Sequence, residues 1–108
     1  MEEKAYMLFS TVDSESEALR MAKHVVDKKL AACVNIVPGI RSIYTWKGEV
    51  QDEGEFLLIF KTSGRAVEHL EKAVRSVHKY DLPEIITLEI DRGDPGYLAW
   101  IQDMTGKT

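Results

Sequence analysis

The sequence has little cysteine, little proline and no long apolar run, and each shortage excludes a class of protein. Its 108 residues include one cysteine, Cys33, and three prolines. A single cysteine excludes an intrachain disulfide and any zinc site built from several cysteines. No apolar run approaches the roughly 18 residues that span a bilayer. Residues 1–4 also lack the basic and apolar pattern of a signal peptide. We therefore predict a reduced, cytoplasmic protein with no membrane partner.

The charge balance argues against nucleic acid as a partner. Acidic residues outnumber basic ones by 18 to 14, which gives a formal net charge of −4. A negative field repels phosphate backbones, so non-specific binding to nucleic acid is disfavoured. A chain of this length buries roughly two-thirds of the surface that its unfolded state exposes, which suffices for one core. We predict one domain over residues 1–108 and no nucleic-acid partner.

Hydrophobic periodicity predicts the order β-α-β-β-α-β followed by a short C-terminal helix. Ser14 and Glu17 have the spacing of a capping box at the start of the first helix. Ser63 is the predicted N-cap of the second helix, and Pro38 predicts a bend in the second strand. Turn residues at 47–49 and 52–54 are predicted to flank a hairpin. The predicted strands cover residues 5–12, 31–46, 55–62 and 84–91. The predicted helices cover residues 15–29, a segment that follows Ser63 and carries the apolar stripe Val67, Leu70, Val74 and Val77, and the segment from Tyr97.

This order is typical of an α+β, ferredoxin-like βαββαβ sandwich with both long helices on one face of an antiparallel sheet. A sheet covered on one face needs apolar residues only at alternate positions. Here Met7, Leu8 and Phe9 are consecutive apolar residues, and residues 57–60 repeat the pattern. The second face of the sheet must then also be covered. We predict an oligomer in which subunits contact each other through their sheets.

His78 is the strongest candidate for a metal ligand. It ends the second predicted helix and is followed by Tyr80, Asp81 and Glu84. Imidazole and carboxylate groups together suit copper, zinc or nickel, so His78, Asp81 and Glu84 form the predicted metal site. A histidine at a helix C-terminus is equally explained by carbonyl capping and the helix dipole. Both interpretations stay open at this point.

The other chemically active side chains favour structural roles. Cys33 lies in an apolar strand, where cysteine acts as a small hydrophobic residue. His24 and His69 each stand alone among charged neighbours on a predicted helix, and Tyr44 and Trp46 are typical of aromatic residues that pack at interfaces. The sequence has no P-loop, nucleophile elbow, dinucleotide-binding turn or zinc-protease motif. We predict that the protein is not an enzyme.

Two segments carry distinctive motifs, LAACVNIVPGIRSIYTWKGE at residues 30–49 and HKYDLPEII at residues 78–86. Both resemble the CutA family of divalent-cation tolerance proteins. The first segment is similar to the long bent second strand of that family, and the second resembles its His-Pro-Tyr-Glu-x-Pro-Glu-Ile loop and strand. Residues 61–62 and 97–100 give supporting matches. The resemblance covers about the whole chain without an insertion.

The resemblance implies a ferredoxin-like protomer, a tight homotrimer with strands that pair across subunits, and a role in cation tolerance. It also implies that copper or another divalent cation is bound in some members. Some bacterial members bind copper through a cysteine near the end of the first strand and a pair of histidines at the loop. This chain has Ser10 and Val77-His78 at those positions, so only His78 remains of that pattern.

Two other functions are compatible with a trimer of this kind. A small-ligand sensor would use clefts between subunits lined by Trp46, Lys61 and Tyr80, with Lys61 and Arg41 binding a nucleotide or another anion. A structural or anchoring trimer would bind no ligand. An acylphosphatase-like enzyme is disfavoured because residues 11–14 contain no arginine. An RNA-recognition module lacks here the paired aromatic residues and the basic charge that it needs.

Overall fold

The structure is a computed structural model that describes residues 4–106. Its sheet has four antiparallel strands in the order β2-β3-β1-β4. The predicted α+β element order is confirmed, including the C-terminal helix. Along the chain the elements are β1 Ala5–Val12, α1 Glu15–Asp27, β2 Cys33–Trp46, β3 Glu49–Ser63, α2 Val67–Val77, β4 Ile86–Ile90 and α3 Pro95–Met104.

The start of α1 is fixed by the predicted N-cap. The Ser14 hydroxyl accepts a hydrogen bond from the Glu17 N–H at 3.2 Å, which satisfies one of the unpaired amides of the first turn. The Glu17 carboxylate, which a capping box would direct back to Ser14, pairs with Arg20 and Lys79 instead. The helix ends at Asp27, two residues before the predicted end, and Lys29 has a φ of 60° that no α-helix continues.

The predicted start of α2 is wrong. Ser63 is the last residue of β3, where its hydroxyl accepts a hydrogen bond from Thr105, and the N-cap of α2 is Ala66. The predicted turn at 52–54 is also wrong, because β3 already begins at Glu49 and those residues pair with β2. The last helix begins at Pro95, two residues earlier than predicted.

The long second strand bends where the sequence predicted. The pairing of β2 with β3 shifts register between Val37 and Ile40. Pro38 cannot donate a ladder hydrogen bond, and Gly39 has a φ of 74°, which glycine adopts without a steric penalty. Beyond this bend β2 and β3 continue as a two-stranded ribbon, residues 40–55, that is closed by a two-residue turn at Lys47 and Gly48.

One face of the sheet, the helix-covered face, packs against α1 and α2. Leu8 and Val12 of β1 and Leu58 and Phe60 of β3 point to this side and are buried. Side chains alternate across a strand, so these residues share a face at every second position. The helices contribute the rest of the core, which includes Ala18, Met21, Val25, Leu70 and Val74.

The opposite face, the open face, carries a second set of apolar side chains. Phe9 lies between Ile59 and Ile86 in the strand register, and Met7 lies beside Leu88. Ile86 is 51% exposed and Leu88 is 49% exposed. Helix α3 covers only one end of this face, where Ala5 and Ile101 are buried and Thr105 bonds to Ser63. We define the open face as Met7, Phe9, Leu57, Ile59, Ile86 and Leu88.

Candidate functional site

His78 fixes the loop between α2 and β4 with both of its ring nitrogens. Its Nε2 lies 2.8 Å from the carbonyl oxygen of Thr11, and its Nδ1 accepts a hydrogen bond from the Tyr80 N–H at 3.1 Å. A carbonyl oxygen can only accept, so Nε2 carries the hydrogen and Nδ1 supplies the lone pair. The imidazole has no lone pair left for a metal while both bonds are present.

A buried carboxylate holds the same loop to α1. Glu17 accepts hydrogen bonds from Arg20 at 2.6 Å, and its other oxygen lies 3.1 Å from the Lys79 ammonium. Arg20 also donates to the carbonyl oxygen of Val77 at 3.0 Å, at the end of α2. The Arg20 hydrogen bond, followed by the one from Lys79, lowers the pKa of Glu17 below its ordinary value. The loop is therefore attached to α1 on one side and to β1 on the other.

Tyr80 connects the loop to β3. Its hydroxyl donates a hydrogen bond of 2.6 Å to Glu55, which is 8% exposed. Burial, followed by the Glu55 carboxylate, raises the pKa of Tyr80 above its ordinary value, so the phenol is neutral and donates. Sequence reasoning missed Glu55. The sequence feature that could have indicated it is a carboxylate at the start of an apolar strand, on the same side of the strand as Leu57 and Ile59.

The structure does not gather the predicted metal ligands. Asp81 and Glu84 are exposed, and His78 uses both nitrogens within the protein. Among residues 4–106, no group of three or more His, Cys, Asp or Glu side chains is placed to hold a metal ion. Ser10 is fully buried, and Val77 packs against the core. Within one chain, the donor set that residues 4–106 offer therefore does not fit copper or another divalent cation.

The predicted cleft residues are also far apart in a single chain. Trp46 pairs with Glu49 at one end of β3, and Lys61 pairs with Cys33 near the other end. Twelve strand residues separate the two positions, a distance of about 40 Å. Tyr80 lies between them, at Glu55. A cleft that combines Trp46, Lys61 and Tyr80 would therefore need side chains from more than one chain.

The two cations predicted to bind an anion are already engaged. Arg41 forms a two-pronged ion pair with Asp52, with both nitrogen–oxygen distances at 2.8 Å. Lys61 donates to the side-chain oxygen of Asn35. Each cation would have to exchange a partner before it could bind a nucleotide or another anion, so the sensor interpretation gains no support from them.

The remaining candidates lie in structural surroundings. Cys33 is half-buried on β2, with Sγ 4.0 Å from the side-chain oxygen of Asn35. Burial and the neighbouring thiol raise the pKa of Tyr97 on α3. His69 is exposed, and His24 is half-buried on α1. Within residues 4–106, no helix combines the length and the apolar character needed to cross a membrane.

Comparison with known proteins identifies the family. The model of the CutA1 divalent ion tolerance protein family matches residues 6–104. The divalent-cation tolerance protein CutA of Thermus thermophilus is 48% identical over 96 residues, which cover 89% of this chain and 93% of that protein. The mouse protein CutA is 44% identical over 97 residues, 90% of this chain. The chain spans only 55% of the mouse protein's length.

Solved structures agree with these matches. The divalent cation tolerance protein of Thermus thermophilus superposes with a TM-score of 0.90 at 45% identity, over 94% of this chain and 99% of that one. CutA1 of Oryza sativa gives a TM-score of 0.92 at 41% identity, over 97% and 96% of the two chains.

The relatives do not share one location. The Arabidopsis thaliana relative is named chloroplastic, and the Archaeoglobus fulgidus structure is described as periplasmic. A cytoplasmic location for this chain therefore stays a prediction. Family assignment does not depend on location, because the family model, the identities and the superpositions all cover nearly the whole chain. The chain belongs to the CutA1 divalent ion tolerance protein family.

Proposed function

We propose that the protein is a homotrimer that serves divalent-cation tolerance, with the open face as the contact between its copies. The observation that carries this proposal is the apolar open face itself. Ile86 and Leu88 are half-exposed there, beside Met7, Phe9 and Ile59. Contiguous apolar patches of this kind are rare on monomers and mark interaction sites.

The ribbon extends the same pattern beyond the helices. Ile43 is 66% exposed and Val50 is 74% exposed, and the rings of Tyr44 and Trp46 are also accessible. These side chains lie on both faces of the thin ribbon, and the other residues among 4–106 leave them exposed to water. A second copy that packs on the ribbon and on the open face would remove both sets of side chains from water, at roughly 25 cal/mol for each Å².

The number of copies is supported by the family resemblance and by the sheet topology. Strands β2 and β4 are the two edges of the sheet, so one copy has two different free edges. If β2 of one copy pairs with β4 of the next copy, the contact is head-to-tail, and such contacts can close into a ring. A ring of three copies would use both edge strands of every chain. In a two-fold dimer, by contrast, each edge strand would pair with the same strand of the other copy.

Light scattering at micromolar concentration tests the assembly. The expected mass is three times the 12.3 kDa of one chain. A mass of one chain would contradict the proposal. Only folded chains assemble, so assembly stabilises the folded state more strongly at higher protein concentration. The unfolding midpoint should therefore also rise with protein concentration.

Binding of copper or another divalent cation is the finer part of the proposal. Since residues 4–106 of one chain do not offer a fitting donor set, we expect the ligands to come from adjacent copies, or His78 to release one of its hydrogen bonds. Calorimetric titration of tag-free protein with copper, wild type against His78→Ala, tests the second route. His69→Ala is the matched control, because it removes an exposed histidine of α2. Equal copper binding by all three proteins would exclude His78 as a ligand.

No observation favours the two alternative functions over this one. The sensor needs Lys61 and Arg41, which are engaged with Asn35 and Asp52. The anchoring trimer shares the assembly and differs only in having no ligand. We include no catalytic activity in the proposal.

A further inference from the structure

Two glutamates are buried among residues 4–106, and their surroundings differ. Glu17 and Glu55 have similarly low exposure, 7% and 8%. Glu17 contacts two cations, Arg20 and Lys79. Glu55 is bonded to the Tyr80 hydroxyl, and no cation of the described residues lies within ion-pair distance of it. Buried carboxylates are normally paired, because an isolated buried charge is strongly disfavoured.

The other groups around Glu55 add negative charge. Burial, Glu55 and Asp13 together raise the pKa of Tyr80. Burial, Glu53 and Glu55 raise the pKa of Tyr44 on the ribbon. The phenol of Tyr80 therefore contacts Glu55 directly, and Asp13 and Glu53 add negative charge near the two phenols without forming one group of ligands with Glu55. The phenols can each donate one hydrogen bond, but neither can balance a charge.

We propose that Glu55, with Tyr80 and Tyr44, binds an ammonium or guanidinium group that a single chain does not supply. Such a group brings both the positive charge and the N–H donors that the carboxylate lacks. Aromatic rings beside a carboxylate also favour organic cations, through attraction between the cation and the ring face. A divalent metal suits the site less well, because no three acidic, histidine or cysteine side chains of residues 4–106 are placed around one.

The cation has two possible sources with the same chemistry. One is a lysine or arginine side chain of a second copy, and this source rests on the proposed trimer. Glu55 shares the alternation of Leu57 and Ile59, so it lies on the side of the sheet that the proposed contact covers. The other source is a small cationic molecule, which needs no second copy.

The test compares Glu55→Gln with Glu49→Gln. Both substitutions remove one negative charge from positions of β3 that share the same alternation, but Glu49 is exposed and pairs with Trp46 at the far end of the ribbon. Sedimentation over a range of concentrations measures assembly, and calorimetric titration with putrescine and with arginine methyl ester measures binding. If a second copy supplies the cation, Glu55→Gln should weaken assembly at least about tenfold, as loss of one partner of a buried ion pair does. Glu49→Gln should stay within about twofold of wild type.

The outcomes separate this inference from the proposed trimer. If the wild type is monomeric, the trimer fails, but loss of putrescine or arginine-ester binding in Glu55→Gln alone would still support the site. Equal behaviour of the two variants in both measurements would overturn it. So would loss of magnesium, calcium or copper binding in Glu55→Gln without any effect on the organic cations, since the site would then be a metal site.

A crystal structure of the wild-type protein decides the case even if Glu55→Gln does not fold. A lysine, arginine or ligand nitrogen within about 4 Å of the Glu55 carboxylate would support the inference. A carboxylate that contacts only Tyr80 and water, in crystals grown with arginine methyl ester, would overturn it.

Discussion

The two faces of the sheet carry similar apolar side chains but differ in what covers them. Leu8 and Phe60 on the helix-covered face are fully buried by α1 and α2. Ile86 and Leu88 on the open face keep about half of their surface exposed to water. The helix-covered face is complete within one chain, and in the proposed trimer a second copy would cover the open face. Substitutions on the two faces should therefore differ in how their effects depend on protein concentration.

The largest expected effect comes from Phe60→Ala. This ring is fully buried in the helix-covered face, and its removal should lower the free energy of unfolding by about 3–5 kcal/mol. The loss should appear at every protein concentration, because the cavity lies within one chain. Urea unfolding at two concentrations that differ a hundredfold measures it.

Phe9→Ala on the open face is the matched comparison. Its effect should grow with protein concentration, since in the proposed trimer a second copy would cover the part of Phe9 that one chain leaves exposed. Losses of equal size at both concentrations for Phe9→Ala would show that the open face contributes to stability without a partner, and the contrast between the faces would fail.

Leu88→Lys should separate folding from assembly. A lysine at this half-exposed strand position is tolerated in one chain, but in a covered interface it would be buried without a partner. We expect assembly weakened by about a hundredfold or more, with an unchanged circular dichroism spectrum. Val26→Lys on α1, at 42% exposure, is the control and should keep the wild-type mass. A Leu88→Lys protein with that same mass would exclude the open face as the contact.

Acid should weaken the attachment of the loop to α1. The pKa of Glu17 is lowered from its ordinary 4.5, first by Arg20 and then by Lys79. A lowered folded-state pKa contributes stability that is complete above the unfolded value and is lost as the pH falls through the folded value. Glu17→Gln should therefore reduce stability at pH 7 and flatten its fall below about pH 4.5.

Glu15→Gln is the control for that measurement. It removes a carboxylate from the same helical turn, but Glu15 is exposed and takes part in none of the salt bridges among residues 4–106. Thermal unfolding between pH 3 and pH 7 would show whether Glu17 alone controls the loss of stability at low pH. Equal flattening in both variants would assign the effect to the helix dipole instead.

The sequence predicted the parts of the fold that depend on local chemistry. The Ser14 cap and the bend at Pro38 follow from side chains acting on their own backbone. The extent of β3 could not be predicted in this way. Residues 52–54 are turn formers, yet they extend because β2 offers a partner strand across the whole ribbon. Pairing outweighs local propensity there.

The site was less predictable because its contacts join distant segments. His78 was predicted either as a metal ligand or as a residue that caps a helix end, and its acceptor in the structure, Thr11, is 67 residues away in the chain. That contact decides which ring nitrogen carries the hydrogen, and sequence spacing contains no such information. The burial of Glu55 has the same cause, since it depends on Tyr80 crossing from the loop to β3.

The smallest expected effect concerns the hydroxyl group of Ser10, on the helix-covered face. Ser10 is fully buried, and its hydroxyl is the buried side-chain polar atom that has no hydrogen-bond partner among residues 4–106. An unsatisfied buried hydroxyl costs about 1–3 kcal/mol, and Ser10→Ala removes it while leaving only a small void. We expect the variant to be more stable by up to about 1 kcal/mol, independently of protein concentration.

Thr62→Val is the opposite case on the same face. The Thr62 hydroxyl is equally buried but donates to the carbonyl oxygen of Leu30 at 2.7 Å. Valine has nearly the same shape and leaves that carbonyl without its donor, so stability should fall by about 1 kcal/mol. Urea unfolding of both variants measures whether each one is more or less stable than the wild type. A loss of stability in Ser10→Ala would mean that the Ser10 hydroxyl has a hydrogen-bond partner in solution, such as a buried water. The buried polar side chains of the helix-covered face would then all be hydrogen-bonded.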